Sequence, residues 1–293
     1  MNLDRRLHAF RPDLADARLK GRVEAARFAQ GERMAVLAAS APMHREPHYG
    51  AGLDTELVCG QTVRVFEQHE GWAWAQSEAD SYVGYVPADR LGPPGPPATH
   101  RVAVNRTFAY PGPSMKLPHV AALSLGARLS VAGLRQVERQ GEFAVGAGVT
   151  GLAEVFVFAA HLAPLDKPAA DPVLAAEALA GAPYLWGGRT SIGLDCSALS
   201  QIAYDSAGVA LPRDSDMQEA GAGERLPDDA PLRRGDLVFW KGHVAIMTSP
   251  TRMIHASGHQ MLVVEEELAQ AAARIAGKGG GPVTCRRRVL PAG

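Results

Sequence analysis

The sequence predicts an α+β protein: two small β-barrels followed by a C-terminal domain of helices and antiparallel strands. Two observations lead to this. Before about residue 165 the chain reads as short segments of alternating apolar residues, and the pattern occurs twice. Beyond it, apolar residues recur at helical spacing (Leu199, Ile202, Ala203, with Gly208 as a stop), and strand-like runs follow. At 293 residues and 46% hydrophobic, the chain can form two or three domains with cores of their own.

The repeat sets the first boundaries. Val86-Pro87-Ala88-Asp89-Arg90-Leu91 matches Val157-Phe158-Ala159-Ala160-His161-Leu162 at an offset of 71 residues, and Gly71-Trp72-Ala73-Trp74 matches Gly141 to Val145 in type. Strands are expected at 34–38, 62–66, 72–76 and 84–86 in the first copy, and at 101–105, 127–131, 142–145 and 154–157 in the second. Such units form small barrels, here residues 31–92 and 98–163. Gly92-Pro93-Pro94-Gly95-Pro96-Pro97 is a stiff, extended connection between them. Residues 1–30, with Leu14, Arg18 and the Val23–Phe28 stretch, suggest one or two short helical segments packed on the barrels. Pro164, Pro168 and Pro172 mark the start of the third domain, 170–293. There Asp171 caps a helix beginning at Pro172 and ending near Gly181.

The chemistry is concentrated in that domain. Tyr184-Leu185-Trp186-Gly187-Gly188 leads to Asp195-Cys196-Ser197, where a glycine-rich turn delivers one cysteine to the first turn of a helix. Unpaired N–H groups and the helix dipole favour an anion there, so the thiol pKa is expected to fall from about 8.5 toward roughly 3.5–7.5. A small, buried core cysteine is the plain alternative. A base follows in the strand opened by His243. His255, in Met253-Ile254-His255-Ala256, is expected on the neighbouring antiparallel strand. Thiol, imidazole and an orienting group in this order match nucleophilic cysteine chemistry: Cys196 attacks, His243 moves the proton and His255 holds the His243 ring.

The stretch from about Pro172 to Arg288, some 40% of the chain, resembles the NlpC/P60 family of papain-like cell-wall peptidases. Its motifs appear in order: Tyr184-x-Trp186-Gly187-Gly188, Asp195-Cys196-Ser197, Leu211-Pro212-Arg213-Asp214-Ser215-x-x-Gln218, Gly235-Asp236-Leu237-Val238-Phe239, Gly242-His243-Val244 and Ile254-His255-Ala256. Ala198 stands where the family usually has glycine, a change the first helical turn tolerates. The two barrels resemble the bacterial SH3-like domains that often precede such peptidases.

With those barrels, the chain is similar to γ-D-glutamyl-L-diamino acid endopeptidases, of the dipeptidyl-peptidase VI type, that recycle murein peptides. The resemblance implies cleavage after γ-D-glutamate in peptides with a free N-terminal L-alanine. It also implies that Asp195 faces the substrate ammonium, with Ser197, Ser215 and Tyr184 completing the subsite. Tyr82 and an acid of the first barrel, Glu46 or its competitor Glu56, would close the pocket. Plainer roles exist for three of these: Asp195 as a helix cap, Ser215 paired with backbone, and Tyr82 in the barrel core. Alternative functions are another NlpC/P60 hydrolase such as a wall amidase, or a wall-binding module with a vestigial site.

Composition narrows the partners. A net charge of −1 and a pI near 6.8 recommend neither nucleic acid nor an anionic membrane. The cysteines, Cys59, Cys196 and Cys285, are too few and too scattered for a disulfide framework and suit a reducing compartment. They also lack zinc-site pairing; Cys196 with two histidines could hold a metal, but neither metal nor cofactor is expected. The charged start, Met1 to Asp16, does not resemble an export signal, and no stretch approaches the roughly 20 apolar residues of a membrane span. The expected setting is therefore the cytoplasm, with small murein peptides as substrate.

Overall fold

The computed structural model describes residues 3–289. The chain divides into two compact units, one running to Lys167 and the other from Pro168 onward.

In the first unit the repeat is visible as topology. The strands of the first barrel are Glu32–Val36, Ser40–His44, Leu53–Val58, Thr62–His69, Trp72–Ser77, Val83–Pro87 and Leu91–Gly92. Those of the second are His100–Val102, Arg106–Tyr110, Ala121–Ser124, Arg128–Val137, Gly141–Ala147, Val155–Phe158 and Leu162–Pro164. Both sheets pair their strands in the order third, second, sixth, fifth, fourth, first, seventh. A 3₁₀ turn precedes the last strand in each, Ala88–Arg90 and Ala159–His161. Six barrel strands escape the sequence reading: Ser40–His44, Leu53–Val58 and Leu91–Gly92, with their counterparts Arg106–Tyr110, Ala121–Ser124 and Leu162–Pro164. The first of these carries a proline at Pro42, which argues locally against a strand. In the barrel Pro42 still pairs with Glu56.

The barrels share a core. The turn Cys59-Gly60 places the Cys59 side chain among Val102, Leu123, Leu129 and Val157 of the second barrel. Arg128 N–H donates to the Cys59 carbonyl at 2.8 Å, and Thr150 N–H to the Leu37 carbonyl at 2.7 Å. Gly60 has φ +80°, and a Cβ there would lie 2.1 Å from the Arg128 carbonyl oxygen, so only glycine fits. Cys59 is thus a packing residue, and burial pushes its thiol up to about 12.

The expected N-terminal helices reduce to one 3₁₀ turn, Ala17–Leu19, between the parallel strand pieces Leu14–Asp16 and Arg27–Ala29. Tertiary contacts override the local pattern: Ala9 and Leu14 pack on Phe66 and Trp74 of the first barrel. Arg11 lies 4.4 Å over the Trp74 ring and donates to the Tyr85 hydroxyl at 2.8 Å.

In the second unit, six antiparallel strands run in the order Glu224–Arg225, Cys285–Arg288, Leu237–Trp240, His243–Met247, Arg252–Ser257, Leu262–Glu267. The helix expected from Pro172 is Val173–Glu177, followed by turns to Gly181, and Val173 N–H donates to Asp171 Oδ1 at 2.9 Å. Helix Cys196–Ser206 packs on the His243–Met247 and Arg252–Ser257 strands. The alanine-rich helix Leu268–Gly277 turns Leu268, Ala271, Ala272 and Ile275 toward Val238, Trp240, Met247 and Met253. Among the described residues no helix is long and apolar enough to cross a membrane.

Candidate active site

Cys196 is the first residue of its helix, and Asp195 is the cap. Asp195 Oδ1 accepts from Ala198 N–H at 2.9 Å and from Ser197 Oγ at 3.2 Å, while Oδ2 accepts from Gly187 N–H at 3.0 Å. Glycine is needed at the preceding turn, since a Cβ on Gly188 would lie 2.4 Å from the Gly193 carbonyl oxygen. The Asp195 carboxylate also receives both terminal nitrogens of Arg213, at 3.0 and 2.7 Å. Arg213 donates to Ser197 Oγ as well, at 2.9 Å, and its side chain is only 1% exposed. Gln218, fully buried, donates to the Ser197 and Pro212 carbonyls and accepts from Ser200 Oγ. The Leu211-to-Gln218 motif is therefore a brace beneath the cysteine helix.

The histidines come from adjacent strands, as their spacing predicts. Gly242, at φ +73°, closes the tight turn that sets Trp240 opposite His243. Ile246 pairs with Ile254 and Met247 with Met253, which brings His255 beside His243. His243 Nε2 and His255 Nδ1 are 2.7 Å apart, and His255 Nε2 is 2.7 Å from Glu266 Oε1. Arg274 holds both Glu266 oxygens, Nη1 reaching Oε2 at 2.6 Å and Nη2 reaching Oε1. Neither Glu266 nor Arg274 belongs to any motif of the sequence; Glu266 is one of three glutamates in succession, Glu265 to Glu267. The Cys196 sulfur lies against the backbone N–H of Val244, the residue after His243.

The expected low thiol pKa is overturned. Burial pushes the Cys196 thiol up to about 12, and the adjacent Asp195 carboxylate adds to the rise. The Val244 and Ser197 N–H groups and Arg213 oppose it without prevailing. Desolvation is the larger cause, and the cap at the helix start adds to it because it is itself a carboxylate beside the sulfur. His243 is pushed down to about 3 by burial, with the His255 and Arg274 charges adding to the fall and Glu266 opposing it. Burial lowers His255 too, again against Glu266. The resting site is a neutral thiol and two neutral imidazoles.

Tyr184 is half-buried, and burial, then the Cys196 and Asp195 charges, raise its hydroxyl above the ordinary phenol range. Cys196, Asp195, Ser197 and Tyr184 are thereby gathered at one place. Ser215, half-buried, opens the helix Ser215–Gly221 two residues beyond Arg213. The remaining candidates belong to the first unit. Tyr82 is 5% exposed and its N–H donates to Asp80 Oδ1; Glu46 is exposed beside His48; Glu56 is half-buried on the Leu53–Val58 strand. Cys285 is buried on its strand, in register with Phe239. A cavity of about 220 Å³ opens beside the histidines, lined by His243, His255, His259, Arg274 and Lys278 among others.

Residues 181–274 match the NlpC/P60 family, and residues 43–91 match the bacterial dipeptidyl-peptidase Sh3 domain. The chain thus carries an NlpC/P60 domain and, ahead of it, an SH3 domain of the bacterial dipeptidyl-peptidase type. Among characterised proteins it is similar to dipeptidyl-peptidase 6 of Lysinibacillus sphaericus, 40% identical over 75 residues, which are 26% of this chain and 27% of that one. It is 35% identical over 101 residues to the gamma-D-glutamyl-L-lysine dipeptidyl-peptidase of Bacillus cereus, covering 31% and 30% of the two chains. The match thus spans less than a third of either relative. Among solved structures, an NlpC/P60 family protein from Bacillus cereus superposes with a TM-score of 0.72 at 18% identity, over 89% of this chain and 100% of that one. That likeness shows the fold.

Proposed function

We propose that this chain is a cysteine endopeptidase that hydrolyses the bond between γ-D-glutamate and a diamino acid in murein peptides with a free N-terminal L-alanine. The observation that carries the reading is Cys196 at the helix start beside the strand that bears His243, with His255 behind it, in a chain that also has a dipeptidyl-peptidase SH3 domain.

In the reaction His243 accepts the Cys196 proton as sulfur attacks the γ-carbonyl carbon, and a tetrahedral oxyanion forms. In this reading Tyr184, whose phenol stays protonated, donates to that oxyanion. The intermediate collapses to a thioester as His243 returns the proton to the leaving amine. Water, deprotonated by His243, then releases the L-Ala-γ-D-Glu dipeptide and restores the thiol. The cavity lined by His243, Arg274 and Lys278 lies on the histidine side, where the carboxylate-bearing diamino acid leaves. The Asp195 side chain keeps 11% exposure, and its carboxylate is the partner this reading gives the substrate ammonium, beside Ser197 and Ser215. All three cysteines are free, which suits action in the reducing cytoplasm on small wall-derived peptides.

The test is incubation of the purified protein with L-Ala-γ-D-Glu-diaminopimelate and its lysine counterpart, with products identified by mass. Release of L-Ala-γ-D-Glu by the wild type, and none by Cys196→Ala, supports the reading. Cleavage only of an amide to N-acetylmuramic acid would instead support a wall amidase.

A further inference from the structure

The two imidazoles in contact leave open which nitrogen of His243 meets the thiol as a base. With Nε2 turned to His255, the proton acceptor for Cys196 must be Nδ1, so the single N–H of neutral His243 must sit on Nε2. The opposite tautomer would aim an N–H at the thiol and could accept nothing. A pair of neutral histidines is symmetric in this respect, since either ring can donate to the other. Something outside the pair has to break the symmetry.

We infer that Glu266, held by Arg274, is a positioning residue that orients the His255–His243 pair so that the lone pair on His243 Nδ1 is available for the thiol proton. The inference rests on the reading of Cys196 and His243 as nucleophile and base. A carboxylate accepts hydrogen bonds and donates none. At 2.7 Å from His255 Nε2, Glu266 therefore requires an N–H on that nitrogen and a lone pair on His255 Nδ1. That lone pair accepts from His243 Nε2–H across 2.7 Å, and His243 Nδ1 is left free. When His243 takes the thiol proton it becomes an imidazolium. Its Nε2–H still donates to His255, His255 still donates to Glu266, and no further proton moves.

Arg274 serves the same end. Its two N–H groups occupy both Glu266 oxygens and fix the carboxylate plane. Burial alone would raise the Glu266 carboxyl, but the hydrogen bonds from Arg274 and His255 outweigh it and hold the group below its ordinary range. Besides the relay's own His243, His255 and Glu266, the charged and titratable groups around it are Arg274 and, in the cavity beside the histidines, His259 and Lys278, with the Trp240 ring 5.7 Å from His243.

The arrangement makes an asymmetric demand on substitutions. In Glu266→Gln, Arg274 can only donate, so the carboxamide oxygen turns to it and the NH₂ faces His255. Both tautomers then invert, and an N–H points at Cys196. Removing the arginine as well, in Glu266→Gln with Arg274→Met, lets the oxygen turn back to His255. The measurement is the long-range ¹⁵N–¹H spectrum of the histidines in the full-length protein, with the rate of Cys196 alkylation by iodoacetamide at pH 7. In the wild type His243 should be protonated on Nε2 alone. Glu266→Gln should move that proton to Nδ1, slow alkylation by about 10- to 100-fold and lower kcat by a similar factor with little change in KM. The double variant should recover part of both rates. A wild-type His243 protonated on Nδ1 overturns the inference without any variant, and so does a Glu266→Gln spectrum identical to the wild type. The spectrum and the alkylation rate need no substrate. A wild type with the expected tautomers that leaves the tripeptide intact therefore refutes the proposed substrate and not the role of Glu266.

Discussion

Arg213 and Asp195 form a buried, two-point ion pair, Nη2 to Oδ2 at 2.7 Å and Nη1 to Oδ1 at 3.0 Å, with Asp195 directly before Cys196. The same carboxylate caps the helix and accepts from Gly187, so one side chain ties the glycine turn, the helix start and the Arg213 loop together. Removing Arg213 leaves a buried carboxylate without its cation. Arg213→Met should cost about 3–5 kcal/mol, read as a lower denaturation midpoint, whereas adding Asp195→Asn to it should recover part of the loss. Arg213→Lys should not rescue fully, because an ammonium cannot make both contacts. A midpoint unchanged by Arg213→Met would show that the pair does not hold the helix start.

The buried thiol has a kinetic signature. With the Cys196 thiol near 12, alkylation should be slow at pH 7, where it passes through His243, and should still be quickening at pH 10 as free thiolate accumulates. Fast alkylation that levels off near neutrality would mean a preformed thiolate–imidazolium pair. Cys59 and Cys285 are buried and should stay unmodified in the folded protein, with Cys59→Ala and Cys285→Ala active. His243→Ala should lower kcat by about 10²–10⁴-fold.

His243 also makes stability depend on pH. Its pKa is about 3 when folded against about 6.5 when unfolded. Below pH 6.5 the unfolded chain therefore binds the extra proton, and stability falls as pH drops toward 3, by at most about 1.4 kcal/mol per unit for this group. Burial lowers His255 as well, and it acts in the same direction. Denaturant titrations between pH 7 and 4 should show a shallower slope in His243→Gln. An equal slope in that variant would place the titrating group elsewhere.

Specificity for a free amine follows from the proposed pocket. Acetylating the alanine of the tripeptide removes the cation that Asp195 would pair, and adds bulk. The kcat/KM should fall by at least about 10³-fold. Intact muropeptides should behave like the acetylated peptide, and comparable rates on all three would mean an open pocket.

The junction of the barrels should be intolerant at Gly60. An alanine there must adopt φ near +80° and meet the Arg128 carbonyl. Gly60→Ala should lower the stability of the first unit by about 1–3 kcal/mol or more, seen as an earlier transition in thermal unfolding. Gly71→Ala also has a positive φ but nothing within 4 Å, and it should cost less.

Much of the site was legible because the signals are short-range. A cap, a glycine turn and apolar spacing place Cys196 at a helix start. A two-residue turn and an adjoining strand bring His243 and His255 together. The barrels were legible as a repeat, although the strand with Pro42 was not, because its pairing is supplied by distant neighbours.

What the sequence by itself determined is which residues are the candidates for chemistry and on which elements they ride: Asp195 and Cys196 at a helix start, His243 and His255 on adjacent strands, two barrels of one design. What only the tertiary structure decided is their charge state and their support. Glu266 reaches His255 because strand register sets it opposite Met253, diagonal to the histidine, and no local pattern separates it from Glu265 and Glu267. Arg213 finds Asp195 across a loop, Cys59 joins two barrels, and the N-terminal segment is extended because the first barrel offers Phe66 and Trp74. Hydrogen bonding within an element depends on neighbours a few residues away. Desolvation and ion pairing depend on what the whole fold places around a group, and for Cys196 that surrounding reversed the shift the helix start alone implies.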